Sequence, residues 1–466
     1  MNPTEFIVTR ANAISRARQD LQSGGFLADL GRRVAYRTES QNAQHTDALR
    51  AYLAEEMQPV FARLGFASRL IASPTGRGPY LVAEYQEDAA LPTVLMYGHG
   101  DVVGGMTGEW RDNLDPWRVT RVGDRVYGRG TADNKGQHSI NLSALNAVRE
   151  ARGGRLGFNA RFIIETGEEI GSPDLRQVCE TLRDDLKADL FIASDGPRLS
   201  ADRPTIFLGC RGGLRLHLDV DLREGAHHSG NWGGVLSNPA TILASAIAAL
   251  VDHRGRLQLE ALKPPPIAPD IRAALAGVEV KPMSDEPALS PGWGEEGLSA
   301  AERLFAWNTL EVLTVEAGNA RNPQNAIPGR AHAILQLRFV VGTDVDNVAN
   351  AVQAHLNAHG LGMVRVRGGQ RFEASRTDLG NPWVDWAVTS IRQTTGKEVA
   401  LLPNFGGSLP NDVFGDVLGL PTIWVPHSYP GCCQHAPDEH ILLSTTEEGL
   451  SMMAGLFWDL GERPRV

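Results

Sequence analysis

The stretches TVLMYGHGDVVGG at 93–105 and YGRGTADNKG at 127–136 decide the fold of this chain. The apolar run at 94–97 predicts a buried strand, which ends at the sequence GHGD at 98–101. His99 and Asp101 therefore stand two residues apart at the carboxyl end of a strand, where open α/β sheets bind their ligands. Asp133 follows in a second loop bracketed by glycines, just before a helix-like run. These side chains are the first candidates for a functional site.

The composition sets limits on the class of protein. The chain has 466 residues, too many for one ordinary core, so we expect two domains. A formal net charge of −10 with scattered Lys and Arg argues against nucleic acid or an anionic membrane as a partner. No apolar run approaches the length of about 18 residues that a membrane span needs. Four cysteines are too few for a disulfide framework, so we expect a reducing compartment, the cytoplasm.

Two kinds of pattern divide the chain. Helical patterns alternate with short apolar strands at 80–84, 93–97, 160–165 and 189–193, which predicts a largely parallel sheet with helices on both faces. Residues 214–222 and 331–340 instead alternate between apolar and polar side chains, a pattern typical of antiparallel strands covered on one face. We therefore predict an α/β domain made of residues 1–212 and 376–466, with an α+β domain inserted at 213–375.

Further acidic and imidazole side chains follow other predicted strands. The strand that ends at Glu165 leads into Glu168 and Glu169, another strand leads to Asp195, and His435 stands in a loop after a later strand. Neighbouring side chains at a strand end point in different directions. Glu168 and Glu169 can therefore serve different roles, one in proton transfer and one in metal binding. Taken alone, each could also be ordinary surface or turn chemistry, so the prediction depends on the whole set.

Five of these residues make a set that suits metal ions. They supply two imidazoles and three carboxylates: His99, Asp133, Glu169, Asp195 and His435. Nitrogen and oxygen ligands of this kind suit zinc, manganese or cobalt, and one carboxylate can bridge two ions. Ligand positions left open for water would make such a site catalytic. We predict two divalent ions per subunit, zinc first, with manganese and cobalt as alternatives.

With these residues identified, the sequence resembles the M20 family of metallopeptidases. The matching motifs occur in the family's order: GHGD at 98–101, GRGTADNKG at 128–136, ETGEEIGS at 165–172, SDG at 194–196 and HAPDE at 435–439. The resemblance implies that Asp133 bridges two metals. It assigns the remaining ligands in pairs, with His99 and Asp195 on one ion and Glu169 and His435 on the other. It further implies that Glu168 is the general base and that Asp101 holds the imidazole of His99.

The insert resembles one branch of the family, the carnosinase-like dipeptidases. The matching segments are HHSGNWGGVLSNP at 227–239, NAIPGR at 325–330 and GGSLP at 406–410. The resemblance implies that His228 reaches into the partner subunit's site and steadies a tetrahedral oxyanion, with His227 beside it as the alternative. It also implies a group that holds the C-terminal end of the substrate: Arg338, Asn325, Gly407 and Ser408. The insert would then be a lid and dimerisation domain, and the rest of the chain the catalytic domain of a homodimer.

The function that we predict is dinuclear, metal-dependent hydrolysis of the amide bond of a dipeptide or similar substrate with a free carboxylate. The alternative is an N-acyl-amino-acid deacylase similar to acetylornithine deacetylase or succinyl-diaminopimelate desuccinylase. Both would present a carboxylate to Arg338. A binding protein that has lost activity would lack a ligand or a base, whereas every candidate is present here. A dinuclear phosphoesterase could use similar clusters, but the resemblance argues against it.

Overall fold

The structure, a computed structural model, describes residues 8–281 and 287–463. An eight-stranded sheet forms its centre, and its strands lie in this order: Ala67–Ile71, Tyr80–Tyr85, Asn159–Glu165, Thr93–His99, Leu190–Ala193, Thr422–Trp424, Thr205–Phe207 and Ala400–Leu402. The third to the sixth strands run parallel to one another. The strands Tyr80–Tyr85 and Thr205–Phe207 run antiparallel to these neighbours. The predicted largely parallel α/β fold is confirmed, and the carboxyl ends of four adjacent strands meet at one edge.

Helices cover both faces of the central sheet, as predicted, because its strands are apolar on both sides. In the strand Thr93–His99, Val94 and Met96 enter one core while Leu95 and Tyr97 enter the other. The first core contains the helices Arg10–Gln22, Gly25–Ala35, Lys135–Ala151, Pro382–Thr395 and Leu443–Gly461, and the helical segments Tyr52–Met57 and Gln58–Arg63, which continue from the helix Thr46–Ala51. The second core contains Leu175–Thr181, Pro269–Leu275, Ala300–Phe305 and the helical turn Val413–Val417.

A second sheet has four antiparallel strands in the order Thr309–Ala317, Arg330–Phe339, Gly212–Asp221 and Val364–Phe372. The helices Pro239–Leu250 and Val348–Ala358 share a core with one face of this sheet, where Leu216 and Leu335 are fully buried. Arg215 and Arg338 alternate with the core residues and so lie on the other face. This sheet falls almost entirely within the predicted insert, and the division at 213 and 375 stays a prediction.

Shorter elements complete the described residues. Thr120–Val122, Arg125–Tyr127 and His440–Leu442 form a three-stranded sheet. Two-residue strands pair Gly209–Cys210 with Ser375–Arg376, and His227–His228 with Ala326–Ile327. Short helical turns are Ala43–His45, Arg111–Asn113, Glu168–Ile170, Ser229–Trp232, Glu260–Leu262, Val345–Asn347 and Pro430–Cys432. Within 8–281 and 287–463, no helix has both the length and the apolar character needed to cross a bilayer.

Candidate metal centre

The five predicted metal ligands lie together at the carboxyl edge of the central sheet. Three follow or end adjacent strands, while Asp133 precedes the helix Lys135–Ala151 and His435 follows the strand Thr422–Trp424. They form two groups, each with its ligand atoms within 4.8 Å of one another: His99, Asp133 and Asp195, and Asp133, Glu169 and His435. Both groups use Asp133. The grouping is the one that the family resemblance implies.

Asp133 faces the two groups with different oxygens. Its Oδ1 lies 2.9 Å from Nε2 of His99, and its Oδ2 lies 3.0 Å from Nε2 of His435. A second carboxylate stands by each imidazole, with Asp195 Oδ2 at 3.6 Å from His99 Nε2 and Glu169 Oε2 at 3.1 Å from His435 Nε2. One carboxylate that offers an oxygen to each of two groups has the arrangement of a bridging ligand.

The donor atoms fit divalent cations. Both ring nitrogens of His99 face oxygens, because Nδ1 lies 3.1 Å from the main-chain oxygen of Asp101 while Nε2 faces Asp133. With the proton on Nδ1, the Nε2 lone pair would point at a cation between the two side chains. The buried Oε1 of Glu169 has no hydrogen-bond partner among the described residues. Imidazole nitrogens and carboxylate oxygens are suitable ligands for zinc, manganese and cobalt.

The pKa shifts of the clustered carboxylates also favour the binding of cations. Burial and the charge of Asp133 raise the pKa of Glu169 to about 7 and that of Asp195 to about 6. Burial also raises the pKa of Glu168 well above its usual range. For Asp133, burial opposes ionisation, but hydrogen bonds to His435 and His99 hold its pKa below its usual range. Bound cations would reduce the electrostatic repulsion among these buried carboxylates.

The glycines beside His99 are required by close packing under the site. A Cβ on Gly98 would lie 2.8 Å from Cβ of His138, and a Cβ on Gly100 would lie 2.4 Å from the ring of Tyr52. The hydroxyl of Tyr52 and Nε2 of His138 are hydrogen-bonded at 2.8 Å. The two glycines thus let a buried tyrosine and histidine close around the strand end that carries His99.

Asp101 joins the strand end to the turn that carries the two glutamates. Its carboxylate accepts main-chain N–H groups of Glu168 at 3.2 Å and Glu169 at 3.0 Å. The same carboxylate lies 3.4 Å from Nδ1 of His99. Asp101 is therefore placed to orient the imidazole, as the resemblance implies, and it also fixes the backbone of the Glu168–Glu169 turn, which the sequence did not predict.

Sequence reasoning gave no role to Arg129 and Glu439, which form a buried ion pair behind Asp133. Arg129 Nη1 lies 2.6 Å from Glu439 Oε2, and each side chain is only 1% exposed. Glu439 Oε1 also accepts the main-chain N–H groups of Gly130, Ala132 and Asp133 at 3.0, 2.9 and 3.0 Å. Glu439 therefore holds the loop that presents Asp133. The sequence offered one sign of this pair: Arg129 and Glu439 carry opposite charges and lie within the motifs at 128–136 and 435–439.

A cleft of ≈ 870 Å³ connects this cluster with the second sheet. Glu168, Glu169 and His435 line it, and so do Arg338 and Ser408. Arg338 Nη1 donates to Ser408 Oγ at 2.8 Å, and the Ser408 hydroxyl donates to the main-chain oxygen of Arg211 at 3.0 Å. The predicted base and two of the predicted substrate-binding residues therefore share one cleft.

Three other predicted site residues lie elsewhere in the single chain. His228 and Asn325 are exposed and adjacent, with the Ser229 N–H donating to the Asn325 main-chain oxygen at 2.8 Å. Nδ1 of His228 accepts the main-chain N–H of Gly230 at 3.0 Å. Neither residue lines the cleft. Gly407 lines a neighbouring, mainly apolar cavity of ≈ 410 Å³.

Comparisons with known proteins identify the family of this chain. Residues 95–459 match the sequence profile of Peptidase family M20/M25/M40. A beta-Ala-His dipeptidase of Homo sapiens is 26% identical over 410 residues, which cover 82% of this chain and 78% of the human protein. A cysteinylglycine-S-conjugate dipeptidase of Corynebacterium striatum is 28% identical over 340 residues, which cover 68% of this chain and 70% of that protein.

Solved structures show the same fold. An M20 family metallo-carboxypeptidase from Sulfolobus solfataricus superposes with a TM-score of 0.79 at 24% identity, covering 94% of this chain and 99% of that one. Human carnosine dipeptidase 1 superposes with a TM-score of 0.77 at 23% identity, covering 97% and 99%. The family profile spans most of the chain, and the candidate ligands lie within it. The chain therefore belongs to peptidase family M20/M25/M40 and is an M20 metallopeptidase.

Proposed function

We propose that this metallopeptidase hydrolyses the amide bond of dipeptides, or of similar small substrates, that carry a free carboxylate. One observation carries the proposal: the guanidinium of Arg338 lines the same cleft as the cluster of candidate metal ligands. A guanidinium that Ser408 orients offers paired N–H donors to a carboxylate. The two relatives described above are named as dipeptidases, which supports this substrate class.

The side chains of the cleft have distinct proposed roles. Two bound ions, with zinc proposed first and manganese or cobalt as alternatives, would polarise the carbonyl and lower the pKa of the attacking water. Glu168 lines the cleft beside the ligand Glu169, so its carboxylate can take a proton from that water and pass it to the leaving amine. Asp101 would accept a hydrogen bond from the Nδ1–H of His99 and so hold the tautomer in which the Nε2 lone pair is available as a ligand.

We also propose that the working unit is a homodimer formed through the insert. His228 is exposed and lies outside the cleft of its own chain, so a second chain is one way to bring an imidazole donor to the oxyanion. The edge strand Thr309–Ala317 leaves Val312, Leu313 and Val315 exposed at 41%, 51% and 59%. An apolar edge strand of this kind is a site for pairing with another copy. In this assembly, Asn325 with Gly407 and Ser408 would contact the C-terminal end of the substrate.

The compartment that we propose is the cytoplasm. The thiols of Cys179, Cys210 and Cys432 are free and buried, as is usual for proteins of reducing compartments. Burial raises the pKa of the Cys179 thiol, which keeps it protonated and unreactive.

A substrate panel tests the proposed activity. The protein, loaded in turn with zinc, manganese or cobalt, is assayed on dipeptides, on C-terminally amidated dipeptides and on acetylated amino acids. We expect metal-dependent cleavage of free dipeptides and poor cleavage of the amidated ones, because the amides lack the carboxylate for Arg338. Cleavage of acetylated amino acids alone would favour the deacylase alternative. Metal-loaded protein that cleaves neither class would refute the proposal.

A further inference from the structure

The cleft has a surplus of positive charge away from the candidate metal ligands. Four arginines line it: Arg176, Arg215, Arg338 and Arg371. Two are neutralised by other lining residues, since Arg176 pairs with Asp412 at 2.5 Å and Arg371 pairs with Glu373 at 2.6 Å. Neither Arg215 nor Arg338 forms an ion pair with a carboxylate in the described part of the chain. Two uncompensated guanidiniums therefore face one cleft, in a chain whose formal net charge is −10.

The register of the second sheet places these two arginines side by side. Gly213 pairs with Arg338, and Arg215 pairs with Gln336, so all four residues share one face of the sheet. Arg215 is the diagonal neighbour of Arg338, at a backbone separation of roughly 7–8 Å that long side chains easily span. The pKa of Arg338 is lowered by burial and also by the charge of Arg215, which agrees with this proximity.

The glycine paired with Arg338 lies in close contact with other side chains of this face. A Cβ on Gly213 would lie 2.8 Å from the side-chain nitrogen of Gln336 and 3.5 Å from Nη1 of Arg338. The side chain of Gln336 therefore fills the space that a Cβ at 213 would need, next to the Arg338 guanidinium. Both arginines line the cleft, so a small anionic group can approach Arg338 while Arg215 stays within reach of a second one.

We propose that Arg215 makes the enzyme selective for substrates whose C-terminal residue is acidic, aspartate or glutamate. The inference rests on the proposed function, in which Arg338 binds the terminal α-carboxylate. A C-terminal aspartate or glutamate carries a second carboxylate a few bonds from the first, and Arg215 is placed to receive it. The two carboxylates of such a dianionic end would neutralise both guanidiniums, which otherwise repel each other. Arg176 and Arg371 take no part, because carboxylates of the protein already neutralise them.

The test compares substrates that differ in charge but hardly in shape. Gly-Asp is assayed against Gly-Asn, and Gly-Glu against Gly-Gln, with the metal-loaded enzyme. We expect wild-type kcat/KM to favour each acidic dipeptide by about tenfold or more, the scale of one charge-assisted contact. Arg215→Gln should remove that preference by lowering kcat/KM for the acidic dipeptides about tenfold, while the amides change less than about twofold.

A matched control separates a local contact from a change in overall charge. Arg365 lies on the same sheet, is exposed and lines a different cavity, so Arg365→Gln removes one positive charge away from the cleft. This variant should keep the wild-type preference. Equal kcat/KM for acidic and amide dipeptides in the wild type would overturn the inference, as would an equal loss on both in Arg215→Gln.

Binding of the products tests the same contact without turnover. Calorimetry with free aspartate and free asparagine should show tighter binding of aspartate to the wild type and no such difference for Arg215→Gln. If the metal-loaded enzyme hydrolyses no dipeptide, the proposed function fails, whereas a difference between aspartate and asparagine that depends on Arg215 would still support the anion site. Equal binding of the two amino acids to the wild type would contradict it.

Discussion

Replacement of Glu439 by glutamine tests the idea that a buried ion pair holds the loop of Asp133. The amide oxygen of Glu439→Gln can take the place of Oε1 and keep the hydrogen bonds from the main-chain N–H groups of Ala132 and Asp133. The amide nitrogen would then take the place of Oε2, which lies 2.6 Å from Arg129 Nη1. Two donors would face each other there, and the guanidinium would lose its carboxylate.

The magnitude follows from the burial of the pair. Both side chains are 1% exposed, so water cannot replace the lost partner of Arg129. Removal of one member of a buried ion pair costs about 3–5 kcal/mol. We therefore expect Glu439→Gln to lower the free energy of unfolding by about that amount. The double variant Arg129→Met with Glu439→Gln should recover much of the loss, because no isolated charge then stays buried.

Urea denaturation of the same metal-loaded preparations measures these changes. The neighbouring residue supplies the control, because Asp438 pairs with Arg111 at 3.1 Å at the surface, with side chains 20% and 44% exposed. Asp438→Asn should cost about 1 kcal/mol or less. A cost for Glu439→Gln no larger than for Asp438→Asn, or a double variant less stable than Glu439→Gln alone, would refute the reasoning.

Four further substitutions test the proposed roles of the site residues. Glu168→Gln should keep its metal and lose several orders of magnitude in kcat, whereas Glu169→Gln should lose metal. Metal analysis combined with kinetics distinguishes the two variants. If Glu168→Gln keeps more than about a tenth of wild-type activity, Glu168 is not the base. Arg338→Ala should weaken kcat/KM by about 2–4 kcal/mol on free dipeptides and hardly change it on amidated ones, and equal losses on both would indicate a structural role. His228→Ala should cost about 10²–10³ in kcat with metals retained. Mixed with Glu168→Gln it should regain part of the activity, and proven subunit exchange without rescue would place His228 in its own chain's site.

The positions of four of the five candidate ligands could be predicted from the sequence because these residues end or follow a short apolar run. His99 ends a strand that is buried along its whole length, and Asp195 follows another such strand two residues after it ends. Parallel strands in one sheet end at the same edge, so side chains placed after them converge without knowledge of the strand order. The alternating residues around Leu216 and Leu335 revealed the second sheet for a similar reason, since a period of two leaves one face apolar.

Contacts between distant loops could not be predicted in this way. Arg129 and Glu439 are 310 residues apart, and no local pattern indicates that their loops meet. The antiparallel direction of Tyr80–Tyr85 and Thr205–Phe207 is equally invisible, because a strand buried on both faces has the same composition in either direction. The side-by-side position of Arg215 and Arg338 depends on the register of two strands more than a hundred residues apart, which hydrophobic alternation alone does not fix.

The hydrogen bonds of Arg338 have a consequence for the size of molecule that the cleft can process. Its guanidinium is bound to Ser408, and Ser408 is bound in turn to the main chain of Arg211, so this anchor has little freedom to move. The carboxylates and imidazoles of the candidate metal ligands lie together at the carboxyl edge of the central sheet. The distance between the Arg338 guanidinium and the candidate metal ligands is therefore nearly fixed. In the proposed function, a terminal carboxylate held at Arg338 would bring only the amide bond at one set distance to the candidate metal ligands, so the reach of the cleft would select the bond next to the C-terminal residue.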